Sequence, residues 1–178
     1  MLIAMKREFF HSLQPDQLGR ACIEPVLLPL RGKNPSVKAE VYQQLTIGQR
    51  ALFMFHVWHD HANGSALEFY CWLAYTRQEF SYWIGIQAGL RFFGQEKIIA
   101  LLEEMNEVLE ERNQRLGKTM ADVTGQDLEE DAQLSETVHR LYAHYQQNIP
   151  DTFLMIYSYI RSHPEEFVSF PTEDIVEV

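Results

Sequence analysis

The sequence has little of what a secreted or membrane-spanning protein needs. It has only two cysteines, Cys22 and Cys71, among 178 residues, which is too few for a disulfide framework, and both have apolar neighbours that suit a buried reduced thiol. No apolar run approaches the roughly 18 residues of a membrane span. The apolar run at the N-terminus is too short for a signal peptide and is interrupted by Lys6 and Arg7. We therefore expect a cytoplasmic protein.

The sequence also lacks the motifs of common catalytic sites. It contains no glycine-rich phosphate loop, no nucleophile elbow and no Cys-x-x-Cys pair. We therefore expect a protein that is not an enzyme and that uses no cofactor.

Positive charge is scarce and unevenly placed. The chain has 15 Lys and Arg against 25 Asp and Glu, a net charge of −10. Residues 1–95 carry 9 basic and 7 acidic side chains, residues 96–137 carry 4 and 12, and residues 138–178 carry 2 and 6. Contacts to phosphates need clustered Lys and Arg, so this charge argues against direct nucleic-acid binding. All the excess negative charge lies in the second half.

The hydrophobic pattern predicts an all-α, single-domain, compact helical bundle of about six to seven helices. Four prolines and two glycines between residues 14 and 35 predict an irregular N-terminal arm. We expect an N-terminal segment and arm at 1–35, a helical domain at 36–167 and an acidic C-terminal tail at 168–178. The predicted helices begin near Ser36, Thr46, Ser65 and Ser81, and continue with apolar stripes at Ile98–Leu109, Leu134–Tyr145 and Phe153–Ile160, the last restarting at Pro150. Gly94 is expected to end the fourth helix, and a polar link is expected beyond Gly117.

Aromatic residues crowd the middle of the sequence. Trp58, Trp72 and Trp83 lie within one 26-residue stretch together with several tyrosines. Core packing explains this crowding better than a ligand cage does. We expect this stretch to form the core.

Two groups of residues have spacings seen in metal sites. In the first, residues three and four apart share a helix face, so His56, His59 and Asp60 present ligands together, with His61 nearby. The alternative is that Gln49, His56, Asp60 and Asn63 form one hydrogen-bonded polar strip on an otherwise apolar helix. The second group is the Glu-x-x-His pattern of di-iron bundles, which occurs twice. Its members are Glu8 and His11, and Glu136 and His139.

The acidic residues of the second half are the strongest functional candidate. Like charges three and four residues apart destabilise a helix, so folding alone does not favour them. Their Cβ atoms lie roughly 5–6 Å apart along a helix face, comparable to neighbouring phosphates on a nucleic-acid strand. The alternative is a solvated helix face with no partner. The predicted binding residues are Glu103, Glu104, Glu107, Glu110, Glu111, Asp127, Glu129, Glu130 and Asp131.

Several short stretches resemble the bacterial DNA-mimic domain family. The similarity spans residues 45–167 and implies an all-helical protein without a cofactor, whose acidic surface occupies the DNA site of a DNA-binding protein. An immunity protein that neutralises a toxin would use the same kind of surface. The matching stretches are Leu45-Thr46, Asn63-Gly64, Phe69-Tyr70, Ala88-Gly89-Leu90 before Gly94, Tyr159-Ile160-Arg161 and Glu166-Phe167.

The charge pattern and this resemblance lead to the same hypothesis. We expect a regulatory protein whose acidic surface binds a basic protein, such as a DNA-binding protein or a toxin. The rival hypothesis is a metal-dependent helical-bundle enzyme that uses the histidine cluster or the Glu-x-x-His pairs.

Overall fold

The computed structural model describes residues 1–171, except for the side chain of Phe80. Over that range the fold is all-α, as predicted, with one pair of two-residue strands. Short 3-10 helices lie at Met120–Asp122 and Pro164–Glu166. The elements are β1 (Ile3–Ala4), α1 (Arg7–Ser12), α2 (Pro15–Leu30), α3 (Pro35–Gln43), α4 (Ile47–Ala62), α5 (Ala66–Gln78), α6 (Phe80–Phe92), α7 (Glu96–Leu116), α8 (Gln126–Glu130), α9 (Ala132–Ser162) and β2 (Val168–Ser169).

The chain forms two compact units. The first combines Met1–Phe53 with Phe153–Val178, and the second is the continuous stretch Met54–Thr152. Because of where these boundaries fall, α4 and α9 each contribute residues to both units.

The first unit contains a helix where the sequence predicts an irregular arm. The prediction is wrong because α2 runs through Pro25 and Pro29. Both prolines lie on the exposed side of the helix, where the carbonyl groups that lose their partners can bind water. Other residues of the same helix form a buried stripe at helical spacing, and its burial outweighs the local cost of proline. This stripe consists of Leu18, Cys22, Ile23, Val26 and Leu30.

A segment near the N-terminus and the last described segment of the chain pair within the first unit. β1 and β2 pair in parallel, with the Ile3 N–H donating to the Phe167 carbonyl at 3.0 Å and the Met5 N–H donating to the Ser169 carbonyl at 3.0 Å. Phe167 is fully buried. Residues 168–171 therefore include a paired strand, whereas residues 172–178 of the predicted acidic tail lie outside the described residues.

The first unit also bears out the predicted start of α4. The Thr46 hydroxyl accepts the Gln49 N–H at 3.1 Å, and the Gln49 side-chain oxygen accepts the Thr46 N–H at 3.2 Å. This reciprocal pair is a capping box. The Gln49 amide nitrogen also donates to the Met1 carbonyl at 2.7 Å and to the Phe167 carbonyl at 3.3 Å, so the cap joins both ends of the chain.

The second unit is built around α5, α6 and α7, which pack against one another. Local signals mark their ends as the sequence predicts. The Ser65 hydroxyl accepts the Glu68 N–H at the start of α5. Gly94 and Gly117 take positive φ angles of 67° and 64° after α6 and α7, which favour glycine. The core of this unit includes Trp58, Phe69, Tyr70, Leu102, Met105, Leu109, Leu141 and Tyr145.

The longest helix corrects a second prediction about proline. The sequence predicts a helix that ends before Pro150 and another that restarts there, but α9 continues through it from Ala132 to Ser162. Pro150 is exposed, while Ile149 and Thr152 beside it are buried. As in α2, a continuous buried stripe keeps the helix intact while the proline faces water.

Within residues 1–171, no helix is both long enough and apolar enough to cross a bilayer.

Candidate binding surface

Seven of the nine predicted acidic residues are exposed in the second unit. Five lie on α7, which buries Leu101, Leu102 and Leu109 and turns these carboxylates outward, and two lie on α8. We call this set the acidic surface. It consists of Glu103, Glu104, Glu107, Glu110, Glu111, Glu129 and Glu130.

Arginines from neighbouring helices pair with three of these carboxylates. Glu110 accepts from Arg77 of α5 at 2.7 Å, and this hydrogen bond is the main reason that the pKa of Glu110 is lowered. The two remaining pairs are Glu104 with Arg140 of α9 at 2.6 Å and Glu103 with Arg91 of α6 at 3.7 Å.

The other carboxylates of the acidic surface have no basic partner among the residues that the structure describes. No residue within 1–171 forms an ion pair with Glu107, Glu111 or Glu129, and Glu130 accepts only the uncharged amide of Gln126, at 2.6 Å. The acidic surface therefore keeps a net negative charge after its own ion pairs are counted.

Asp127 does not belong to the acidic surface, so its prediction as a binding residue is wrong. Its side chain is buried and accepts hydrogen bonds from the Tyr70 hydroxyl at 3.1 Å, Arg112 at 2.6 Å, Lys118 at 3.2 Å and the Thr124 backbone N–H at 2.9 Å. Burial alone would raise its pKa, but these donors outweigh burial and lower the pKa to about 2. Asp127 is a structural ion.

Asp131 is half-buried and acts mainly within the fold. One of its oxygens accepts the Leu134 N–H at 3.0 Å at the start of α9, and the other lies 3.9 Å from both Arg112 and Arg115. A cleft of 330 Å³ is lined by Asp131, Glu111 and both of these arginines. Its acidic and basic groups are equal in number, so the cleft has no charge preference of its own.

The predicted histidine cluster does not converge on one point. His56 Nδ1 lies 3.3 Å from Asp60 Oδ1, and His59 Nδ1 lies 2.9 Å from the Tyr145 hydroxyl in the core. His61 is exposed and stacks on Trp72, with ring centroids 4.0 Å apart. Each imidazole therefore has a different partner. The alternative of one polar strip is found only in part: His56 and Asp60 form a hydrogen bond, whereas Gln49 donates to the Met1 and Phe167 carbonyls and Asn63 accepts from Gln146.

The Glu-x-x-His pairs are exposed and belong to different compact units. Glu8 and His11 belong to the first unit, whereas Glu136 and His139 belong to the second. His139 Nδ1 lies 2.7 Å from the Ser135 carbonyl on its own helix. Across residues 1–171, no group of three or more His, Cys, Asp or Glu side chains is arranged to hold a metal ion.

Part of the aromatic stretch lies at the surface, contrary to the sequence prediction of a core. Trp58 and Trp83 are buried as predicted. Trp72 is half-buried, however, and stacks between His61 at 4.0 Å and Tyr75 at 4.8 Å. The helical spacing of Glu68, Trp72, Tyr75 and Glu79 was the signal for this surface, because two carboxylates on the same face mark it as exposed.

The protein was compared with protein families, curated proteins and solved structures. The chain matches no protein-family model, no curated protein and no solved structure. The resemblance to the DNA-mimic family therefore stays a prediction.

Proposed function

We propose that this protein is a non-enzymatic regulator whose acidic surface binds a basic surface of another protein, in the manner of a DNA mimic. The observation that supports the proposal is the set of carboxylates on α7 and α8 that the fold leaves without a basic partner. The arrangement is rigid, because the carboxylates lie on helices whose opposite sides are buried.

Charge complementarity explains how such a surface would bind a basic protein. A cluster of like charge on a protein of net charge −10 attracts a basic partner over a distance and raises the rate of association. DNA-binding proteins and basic toxins both offer surfaces of this kind. The same charge repels nucleic acid, so the protein competes with DNA and does not bind it.

A charge-matched pair of variants tests the proposal. The first variant changes Glu107→Gln, Glu111→Gln and Glu129→Gln, which removes three carboxylates that have no ion-pair partner. The control changes Glu8→Gln, Asp16→Asn and Glu40→Gln, three exposed carboxylates of the first unit. Both variants have the same net charge, and neither substitution set disrupts an ion pair between described residues, so both should fold.

The measurement is retention of proteins that have first been selected on DNA-cellulose, at roughly 0.1 M salt. We expect the wild type and the control to retain a set of basic proteins that duplex DNA displaces. The acidic-surface variant should retain far less of these proteins, because the loss of charge slows their association. Equal retention by all three proteins, or tight binding of the wild type to duplex DNA itself, would contradict the proposal.

A further inference from the structure

Four aromatic rings form a continuous surface in the second unit. His61 stacks on Trp72 at 4.0 Å, Trp72 stacks on Tyr75 at 4.8 Å, and Tyr82 of α6 follows at 6.3 Å with its plane inclined by 37°. Tyr75 and Tyr82 are therefore neighbours without a close stacked contact. Tyr75, the outer ring of the stack, keeps 42% of its surface exposed. We call these four rings the aromatic surface.

Two carboxylates border the aromatic surface, Glu68 on α5 and Glu79 directly after the last residue of that helix. Glu68, Trp72, Tyr75 and Glu79 follow the spacing i, i+4, i+7 and i+11, which places them along one face, and both glutamates are exposed. Glu79 lies close enough to Tyr82 to contribute, after burial and Tyr75, to a raised pKa of the Tyr82 hydroxyl. The face therefore combines aromatic rings with negative charge.

No arginine or lysine of α5 shares this face. Arg77, the basic residue of the helix, lies about half a turn away from Tyr75 and Glu79 at a helical period of 3.6 residues. Its guanidinium lies 4.9 Å over the buried Trp83 ring and pairs with Glu110. Arg77, Trp83 and Glu110 thus combine an arginine, an aromatic ring and a carboxylate. Tyr75, Tyr82 and Glu79 likewise offer aromatic rings and a carboxylate, and no arginine among the described residues is found over them.

We propose that the aromatic surface binds an arginine side chain of the basic partner, with the guanidinium against Tyr75 and Tyr82. The inference rests on the proposed function for the existence of that partner and adds the residue type that it presents. Arginine fits better than lysine because its planar guanidinium stacks on rings and also pairs with a carboxylate. An apolar or acidic occupant would have to desolvate or oppose Glu68 and Glu79.

The test compares two peptides of equal charge, nine arginines and nine lysines, whose binding is measured by fluorescence anisotropy. Long-range attraction is the same for both, so the ratio of their dissociation constants isolates the contribution of the guanidinium plane. We expect the wild type to prefer the arginine peptide by about two- to five-fold. The double variant Tyr75→Leu, Tyr82→Leu should bring the ratio close to one, whereas Tyr75→Phe, Tyr82→Phe should preserve it.

Two controls separate the possible outcomes. Phe9→Leu removes an exposed ring of the first unit and should leave the ratio unchanged. The variant that lacks Glu107, Glu111 and Glu129 should weaken both peptides alike, so its behaviour reports on the proposed function alone. Circular dichroism confirms that each variant is folded.

Three results would overturn the inference. The first is an unchanged ratio in the folded leucine variant. The second is equal binding of an uncharged leucine-rich peptide to the wild type, which would indicate an apolar docking site. The third is a wild-type dimer in sedimentation that Tyr75→Leu dissociates, because the occupant would then be a second copy of the chain.

Discussion

Glu104 and Asp127 each pair with an arginine at 2.6 Å, yet their surroundings differ. The Glu104 and Arg140 side chains are 46% and 47% exposed, whereas the Asp127 and Arg112 side chains are 3% and 6% exposed. Water screens the first pair and is largely excluded from the second. Two ion pairs of equal length therefore serve different purposes. The Glu104 carboxylate stays in contact with water, and the Asp127 carboxylate holds α8 against Arg112 and Tyr70.

Breaking the buried pair should have the largest effect. Asp127→Ala leaves the Arg112 guanidinium buried without its carboxylate and removes the acceptor for Tyr70, Lys118 and the Thr124 N–H. We expect the free energy of unfolding to fall by about 3–5 kcal/mol, measured by urea denaturation. A loss below about 1 kcal/mol would show that water reaches this network.

Acid should act on the same pair with a smaller effect. The pKa of Asp127 is lowered from 3.8 to about 2, so its contribution to stability is complete above pH 3.8 and is lost as the pH falls through about 2. The difference corresponds to about 2 kcal/mol. Urea denaturation between pH 5 and pH 2 measures it. If Asp127→Asn folds, its free energy of unfolding should fall less between pH 5 and pH 2 than that of the wild type. Parallel curves for the two proteins would contradict the assignment.

The exposed pair should give the smallest change. Glu104→Gln removes the partner of Arg140 but leaves both side chains in water. We expect the free energy of unfolding to change by about 0.2–1 kcal/mol at low salt and by less at high salt. A salt-independent loss of several kcal/mol would remove the distinction between the two pairs.

Sequence reasoning predicts best where a local rule and the tertiary fold agree. The Ser65 cap, the glycine after α7 and the apolar stripe of α7 depend on spacing along one helix, and all three are found. The expectation that proline ends a helix is wrong for α2 and α9. Both helices continue through exposed prolines, because the apolar residues that they bury stabilise the helix more than the prolines destabilise it.

At the candidate site, too, features that depend on helical spacing were predictable and features that depend on distant residues were not. Helical spacing predicts that Glu107 and Glu111 are exposed, because the leucines of α7 occupy the opposite face. The burial of Asp127 depends on Tyr70 and Arg112, which are distant in the sequence. The position of Trp72 at the surface likewise depends on which side of α5 the rest of the unit covers. Composition alone cannot supply that information.

The discontinuous first unit also bears on how the chain folds during synthesis. The segment that carries β1 and α2 leaves the ribosome well before β2, with which β1 pairs. Translation of the intervening Met54–Thr152 takes on the order of 10 s, which is long enough for that continuous unit to fold by itself. During that time the stripe of α2 that is buried in the complete protein lacks the C-terminal segment of its unit. Nascent chains stalled before Phe167 should therefore expose this stripe to chaperones, whereas full-length chains should not.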